Sequence, residues 1–177
     1  MRLSFLLCLL IVGCASHKPL PHLGEVPDFQ LTDQAGKPFD RAALSGRVWV
    51  ADFIYTTCPG PCPRMSSHMG RIQKATLPSV RLISFTVDPV TDTPEVLSAY
   101  GRKFGADPAR WTFLTGDKAR IEFLNHDGFK LGTGLDHSTR FVLVDKKGRI
   151  RGYYGIADGD PVEKISADAA RLQEEGD

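Results

Sequence analysis

The sequence has few cysteines for its length, with four in 177 residues. Cys8 and Cys14 lie near the N-terminus, whereas Cys58 and Cys62 lie close together in the body of the chain. A small protein held together by disulfides needs more cysteines over a shorter chain, so the sequence does not predict that class. The close pair Cys58 and Cys62 instead favours a redox-active or metal-binding site.

An excess of charge of one sign is also lacking. The chain has 22 Lys and Arg against 21 Asp and Glu, and its basic residues form no run longer than Lys146-Lys147. Proteins that bind nucleic acid generally carry a basic patch or stripe, so we expect no nucleic-acid partner. Removal of a leader containing Arg2 would leave equal numbers of basic and acidic residues, which predicts weak electrostatic steering by the whole molecule.

The apolar run near the N-terminus, residues 3–12, is too short to cross a bilayer, which takes about 20 residues. The run follows Met1-Arg2, includes the apolar Cys8, and ends at Gly13-Cys14, as in a bacterial lipoprotein signal peptide. We therefore expect residues 1–13 to be a signal peptide and Cys14 to be lipidated, which anchors the protein to a membrane surface on the periplasmic or extracytoplasmic side. The alternative is an ordinary signal peptide in which this cysteine is incidental. Residues 14–25 have the composition of a flexible tether.

The remaining residues, 26–177, suit a single domain with one core. Their hydrophobic and polar patterns predict an α/β fold of the thioredoxin-like type, with a mixed central sheet flanked by helices and an N-terminal hairpin. Thr93 and Pro94 are typical of a helix N-cap and first helical position. The predicted strands lie within 29–37, 47–54, 80–87, 111–114, 140–144 and 149–154, and the predicted helices within 64–74, 94–104, 117–124 and 161–174. In the first of these helices Met65 and Met69 are at helical spacing, and we expect them to be core residues and not metal ligands.

The cysteine pair follows the buried strand at 47–54 and opens the next helix. Two cysteines four positions apart at a helix start lie on one face, so both sulfurs can bind one metal ion. The helix dipole and free N–H groups favour thiolates, which are soft ligands for Cu(I), zinc or iron–sulfur clusters. A structural zinc site takes four ligands, and the domain has no second cysteine pair, so copper is favoured over zinc.

A third ligand must come from elsewhere, and the histidines are the candidates. His68 lies six positions beyond Cys62, on the other side of the predicted helix, and is expected at the surface. His126 lies in a predicted turn. His137 precedes the strand at 140–144 and is suitably placed for a ligand. Its ring could equally be hydrogen-bonded within its own turn by a neighbouring side chain, Asp136 or Ser138, and Asp136 could also orient it as a ligand.

Four segments of the chain resemble, in order, those of the Sco/SenC family. They are TCPGPCP at 57–63, DPVTDTP at 88–94, WTFLTG at 111–116 and DHS at 136–138, and the resemblance covers roughly residues 25 to 173. It implies that Cys58, Cys62 and His137 bind copper, as Cu(I) or Cu(II). It also implies assembly of the Cu-A centre of cytochrome c oxidase, with the Cu-A subunit and other copper carriers as partners. Many family members have a transmembrane helix where this chain has a lipoprotein-type leader.

Several functions are compatible with the same two sulfurs. A metallochaperone leads, because a dedicated thiol–disulfide oxidoreductase does not need His137 and usually has a two-residue spacer between its cysteines. Such an oxidoreductase, acting on the cysteines of a copper-acceptor protein, is the alternative, and a copper or redox sensor would use the same site. A peroxidase of the same fold fits an adjacent cysteine pair poorly. Asp88 and Asp92 match the family pattern, but turn and helix-start roles suffice for them.

Overall fold

The computed structural model describes residues 18–132 and 139–175. Its strands form one eight-stranded sheet in the order β1-β8-β7-β4-β5-β6-β2-β3. The strands are β1 (Gly24–Glu25), β2 (Gln30–Asp33), β3 (Pro38–Asp40), β4 (Trp49–Ile54), β5 (Arg81–Thr86), β6 (Trp111–Thr115), β7 (Arg140–Val144) and β8 (Arg149–Gly155). The helices are α1 (Pro61–Ala75), α2 (Pro94–Lys103), α3 (Lys118–Phe123) and α4 (Pro161–Glu174). Short 3₁₀ turns cover Arg41–Leu44 and Ile156–Asp158, and a π-helical turn covers Leu124–Gly128.

The sheet is mixed, as predicted. Strands β4, β5 and β6 run parallel, whereas β7 pairs antiparallel with both β4 and β8. The predicted N-terminal hairpin is confirmed by the antiparallel pairing of β2 with β3. Since β4 is central, all six of its residues are buried, which explains its nearly continuous apolar sequence.

Alternation along β4 divides the core between the two faces of the sheet. Val50 and Ile54 pack with Met65 and Met69 of α1, so the prediction that these methionines are core residues is confirmed. On the other face, the core is mainly aromatic. There Phe53 and Phe85 stack with ring centroids 4.9 Å apart, and Phe29 and Phe129 pack around them.

The helix starts follow the capping rules. Thr93 accepts a hydrogen bond from the N–H of Val96, and Asp117 and Asp160 cap α3 and α4 in the same way. Helix α1 begins earlier than the predicted residue 64, at Pro61, because proline is well suited to a first turn whose N–H groups have no helical partner. The helix predicted at 117–124 differs at its end, where α3 passes into the π-helical turn that contains His126.

Residues 18–25 of the predicted tether are bound to the domain. Strand β1 pairs with the start of β8, and the N–H of Leu23 donates to the carbonyl of Ile150 at 2.9 Å. The buried Arg151 donates to the carbonyls of Leu20 and Pro21, and Arg171 donates to that of Lys18. These partners are more than 120 residues away in sequence, so the composition of the segment does not reveal them and predicts flexibility instead.

The sheet has two ends with different roles. Strands β4, β5 and β6 all finish at one end, which we call the cysteine end because Cys58 follows β4 there. Strand β7 begins at this end and β8 finishes there. The opposite end holds the starts of β4, β5, β6 and β8, together with the β7–β8 turn. Among the helices of the described residues, none is long and apolar enough to cross a membrane.

Candidate metal centre

The two cysteines lie between β4 and α1. Cys58 lies in the loop that follows β4, and Cys62 is the second residue of α1. The expectation that both belong to one helical face is therefore wrong for Cys58, because the helix begins only at Pro61. The loop nevertheless brings the two sulfurs together, and both thiols are free and almost fully buried, at 6% and 0% exposure.

The two thiols have opposite acidities. Burial alone would raise the pKa of Cys58, but hydrogen bonds from the Cys62 thiol, from the N–H groups of Cys62 and Gly60 and from Tyr55 outweigh burial and lower that pKa. Burial raises the pKa of Cys62 to about 12, and the hydrogen bond to Cys58 adds to the rise. Cys58 is thus the more acidic thiol of the pair, and Cys62 is the one that keeps its proton to higher pH.

Tyr55, the residue directly after β4, is part of this arrangement. Its hydroxyl is hydrogen-bonded to the Cys58 sulfur, and that bond raises the pKa of Tyr55, as do the negative charges of the cysteines and Asp88. Tyrosine therefore stays neutral and donates to Cys58. Sequence reasoning missed this residue because only its place at the end of a strand, three residues before a cysteine, distinguishes it from other tyrosines.

Asp92 fixes the start of the cysteine loop. Its fully buried carboxylate accepts hydrogen bonds from the N–H of Thr56 at 3.1 Å and from the hydroxyls of Thr56 and Thr86, both at 2.5 Å. The sequence suggested only a turn or helix-start role for Asp92, but the residue also holds the cysteine loop in place. Asp92 thereby joins Thr56, which lies two positions before Cys58, to the end of β5.

A second buried carboxylate, Asp52, lies beneath the site in β4 and was also missed. One carboxylate oxygen accepts from Ser84 Oγ at 2.6 Å, and Trp111 Nε1 donates to the same hydroxyl at 2.9 Å. The other oxygen has no hydrogen-bond partner among the described residues. Burial raises the pKa of Asp52 to about 7, and its charge contributes to the high pKa of Cys62. A carboxylate within an otherwise apolar strand is the signal that could have identified it.

The described histidines lie apart from the sulfurs. His68 lies at the surface but is partly covered, with 19% of its side chain exposed. It packs against the ring of Phe141 and faces Asp160 with 3.7 Å between Nδ1 and Oδ1. His126 is half exposed next to Asp127. Within residues 18–132 and 139–175, no cluster of three or more His, Cys, Asp or Glu side chains is suited to hold a metal ion.

The predicted third ligand, His137, lies outside the described residues, as do Asp136, Ser138 and the predicted lipidation site Cys14. The nearest described residue after His137 is Thr139, whose carbonyl accepts from the N–H of Ile156. Strand β7 starts directly afterwards, at the cysteine end of the sheet. The start of β7 and the cysteine loop therefore belong to the same end of the molecule.

The whole described fold can be compared with known proteins. A SCO1/SenC family model matches residues 19–174. The chain belongs to the SCO1/SenC family. A SCO1/SenC family lipoprotein from Bacillus anthracis is 36% identical, with a TM-score of 0.78 over 84% of this chain and 95% of that one. The Sco protein BsSco is 31% identical, with a TM-score of 0.79 over 89% and 98% of the two chains.

A third SCO1/SenC relative, Bradyrhizobium japonicum ScoI, has a structure with copper bound. It is 28% identical, with a TM-score of 0.69 over 84% of this chain and 99% of that one. BsSco is described as a member of the Sco family of cytochrome c oxidase assembly proteins. The predicted thioredoxin-like α/β fold is confirmed by these neighbours and by the observed sheet.

Proposed function

We propose that this SCO1/SenC protein is a copper metallochaperone. Cys58, Cys62 and His137 bind copper, as Cu(I) or Cu(II), and the protein passes it to the cytochrome c oxidase subunit that carries the Cu-A centre, or to other copper carriers. The observation that carries the proposal is the pair of free, hydrogen-bonded thiols at the start of α1. The copper-bound relative ScoI supports it.

The donor set suits copper. Two thiolates are soft ligands, and one imidazole added to them completes a low-coordinate site of the kind that Cu(I) accepts. Cys58 is the sulfur that loses its proton more readily, since its pKa is lowered. The proton on Cys62 must leave when metal joins both sulfurs, so copper binding releases a proton and strengthens as the pH rises.

A thiol–disulfide oxidoreductase is the second candidate, and the unequal acidities of the two thiols favour it. The Cys58 thiolate would attack a disulfide of a copper-acceptor protein and form a mixed disulfide, releasing one acceptor thiolate. Cys62 would lose its proton and attack Cys58, which releases the second acceptor thiolate. The acceptor gains two electrons and the pair becomes the Cys58–Cys62 disulfide. A copper or redox sensor would use the same chemistry.

His137→Ala separates these functions, because imidazole completes a metal site but takes no part in thiolate attack on a disulfide. The variant should lose stoichiometric copper binding and fail to restore Cu-A-containing oxidase in a strain lacking the protein. Its disulfide exchange rate should stay near wild type. Cys58→Ala and Cys62→Ala should lose copper binding, and Cys58→Ala should lose disulfide exchange as well.

His68→Ala is the matched histidine control and should bind one copper per domain. Full rescue of the oxidase by His137→Ala at low copper supply would overturn the metallochaperone proposal in favour of the oxidoreductase. An equal copper loss in His68→Ala would mean that the third ligand is misassigned.

We further propose that Cys14 carries the lipid anchor and that the mature protein lies on a periplasmic or extracytoplasmic membrane surface. The relative from Bacillus anthracis supports this, since it is named a lipoprotein. Cys14→Ser should move the protein from the membrane fraction to the soluble fraction, because several acyl chains account for the attachment. A Cys14→Ser protein that still sediments with membranes would contradict the anchor.

A further inference from the structure

The N-terminal segment leaves the domain at the end of the sheet opposite the cysteines. Strand β1 pairs with the first residues of β8, and Val26 donates to the carbonyl of Gly148 in the β7–β8 turn. Preceding residues continue along the same end, where Arg151 and Arg171 bind the carbonyls of Leu20, Pro21 and Lys18. Cys14 lies only four residues before Lys18, a distance of at most about 14 Å even for extended chain.

Basic side chains collect at this same end. The five neighbouring strands β8, β7, β4, β5 and β6 each have a cation within three residues of the terminus that lies here. Across the sheet these are Arg149, Lys146 and Lys147, Arg47, Arg81 and Arg110. Burial and the neighbouring guanidinium groups of Arg47 and Arg110 lower the pKa of Arg81, as expected if the three are close together.

Only part of this positive charge is neutralised locally. Asp145 binds Arg149 and Arg151, and Glu175 binds Arg151. Asp107 lies near Arg81 and Arg110. The exposed Arg47 and Lys147 form no ion pair among the described residues.

The cysteine end carries charges of both signs. Acidic residues follow the ends of β5, β6 and β8 there, and basic residues lie among them at Arg64, Lys118, Arg140 and Lys164. The excess of positive charge is therefore local to the opposite end, and weak electrostatic steering by the whole molecule stays a prediction. An anionic surface would attract the exposed cations of the basic end.

We propose that the basic end, defined by the exposed Arg47 and Lys147 with the partly buried Arg81 and Lys146 beside them, lies against anionic lipid headgroups and directs the cysteine pair away from the membrane. The proposal rests on the proposed lipid anchor, because the anchor brings this end within reach of the surface, where charge attraction acts over about 8 Å. The six residues of β4 rise by roughly 20 Å. With the strands upright on the surface, the cysteine pair would lie about that far into the aqueous phase.

Amide hydrogen exchange tests this orientation on the mature protein as purified from membranes. The protein is reconstituted in phosphatidylcholine vesicles with and without phosphatidylglycerol. On the anionic vesicles, amides of residues 45–47 and 146–148 should exchange at least threefold more slowly. Amides of residues 56–60 at the cysteine end should be unchanged. Protection at residues 56–60, or none at the basic end, overturns the orientation.

Two charge-reversal variants provide the matched comparison. Arg47→Glu with Lys147→Glu should abolish the protection, whereas Lys118→Glu with Lys164→Glu, at exposed positions near the cysteine end, should retain it. Equal protection in both double variants overturns the proposal.

Mass spectrometry of the N-terminal peptide keeps this proposal distinct from the anchor. Acylated protein that binds both kinds of vesicle without protection at the basic end overturns the orientation alone. Protein without acyl chains that is still protected on anionic vesicles supports the orientation and overturns the anchor. Protein without acyl chains that binds neither kind of vesicle overturns both.

Discussion

Asp52 shows how much one residue can be governed by its surroundings. It lies in a fully buried strand, and its only described side-chain partner is the hydroxyl of Ser84. A carboxylate without full hydrogen bonding is costly in such a place, so the protonated form is favoured. The same residue influences the proton on Cys62. This carboxyl group therefore affects both the stability of the fold and the acidity of Cys62.

Asp52→Asn should change how stability depends on pH. The pKa rises from the ordinary value of 3.8 in the unfolded chain to about 7 in the folded protein. Between these values the folded state binds more protons, so wild-type stability falls as the pH rises. The shift corresponds to roughly 4 kcal/mol, lost fully above pH 7. In urea unfolding at pH 4, 6 and 8, the wild-type free energy of unfolding should fall relative to that of the Asp52→Asn variant as the pH rises. Parallel pH profiles would contradict this.

The loop that contains Cys58 is held in place by a residue outside it, Asp92. Asp92 is 36 positions from Thr56 in sequence, yet its carboxylate binds both the N–H and the hydroxyl of that residue. It also binds Thr86 at the end of β5. The loop position is thus determined by the neighbouring strand and by the segment that leads into α2.

A pair of isosteric variants separates loop positioning from general stability. Thr56→Val and Thr86→Val each remove one hydroxyl donor to the same carboxylate, at a cost of about 2 kcal/mol each in the free energy of unfolding. Only Thr56 belongs to the cysteine loop. Thr56→Val should therefore weaken Cu(I) affinity about tenfold, measured by competition with a chromophoric chelator, which corresponds to roughly 1.4 kcal/mol. Thr86→Val should weaken it much less, and equal losses would contradict the positioning role.

The elements that depend on local sequence were the predictable ones. The apolar run of β4, the Thr93-Pro94 start of α2 and the methionine spacing of α1 depend on neighbours a few residues away. The Asp92 contacts and the pairing of β1 with β8 could not be predicted in this way. Each joins residues that only the complete topology brings together.

In the candidate site, too, local sequence predicted some features and not others. The spacing of Cys58 and Cys62 identified the sulfurs as one site, and their closeness is observed. The opposite acidities depend on backbone N–H groups, on Tyr55 and on burial, which spacing does not describe. His137 as the third ligand stays a prediction.

At the scale of the whole molecule, the N-terminal segment and the domain form one packed unit from Lys18 onward. Arg151 is central to it, because this buried guanidinium binds the carbonyls of Leu20 and Pro21 and is neutralised by Asp145 and Glu175. A segment held in this way would transmit the position of the proposed lipid anchor to the domain.

Arg151→Gln should release the segment. Arg149→Gln is the matched control, since the Arg149 side chain also binds Asp145 but has no described hydrogen bond to residues 18–25, and its backbone pairing with Glu25 is kept in the variant. In Arg151→Gln, the amides of Leu23 and Val26 should exchange with solvent at least tenfold faster than in Arg149→Gln. Hydrogen exchange with peptide mass spectrometry measures this, and equal rates in the two variants would show that β1 pairing alone holds the segment.

Under the proposed function, the unequal burial of the two sulfurs bears on the order in which they would release copper. Cys58 retains 6% exposure on the outer side of the pair, whereas Cys62 has none. Of the two sulfurs, Cys58 is the one that a donor atom of an incoming acceptor could reach first, so it would be the first of the pair to be replaced. Cys62 would then release the ion after Cys58. Copper handed over by this exchange would stay bound to a protein ligand and would not be set free in solution.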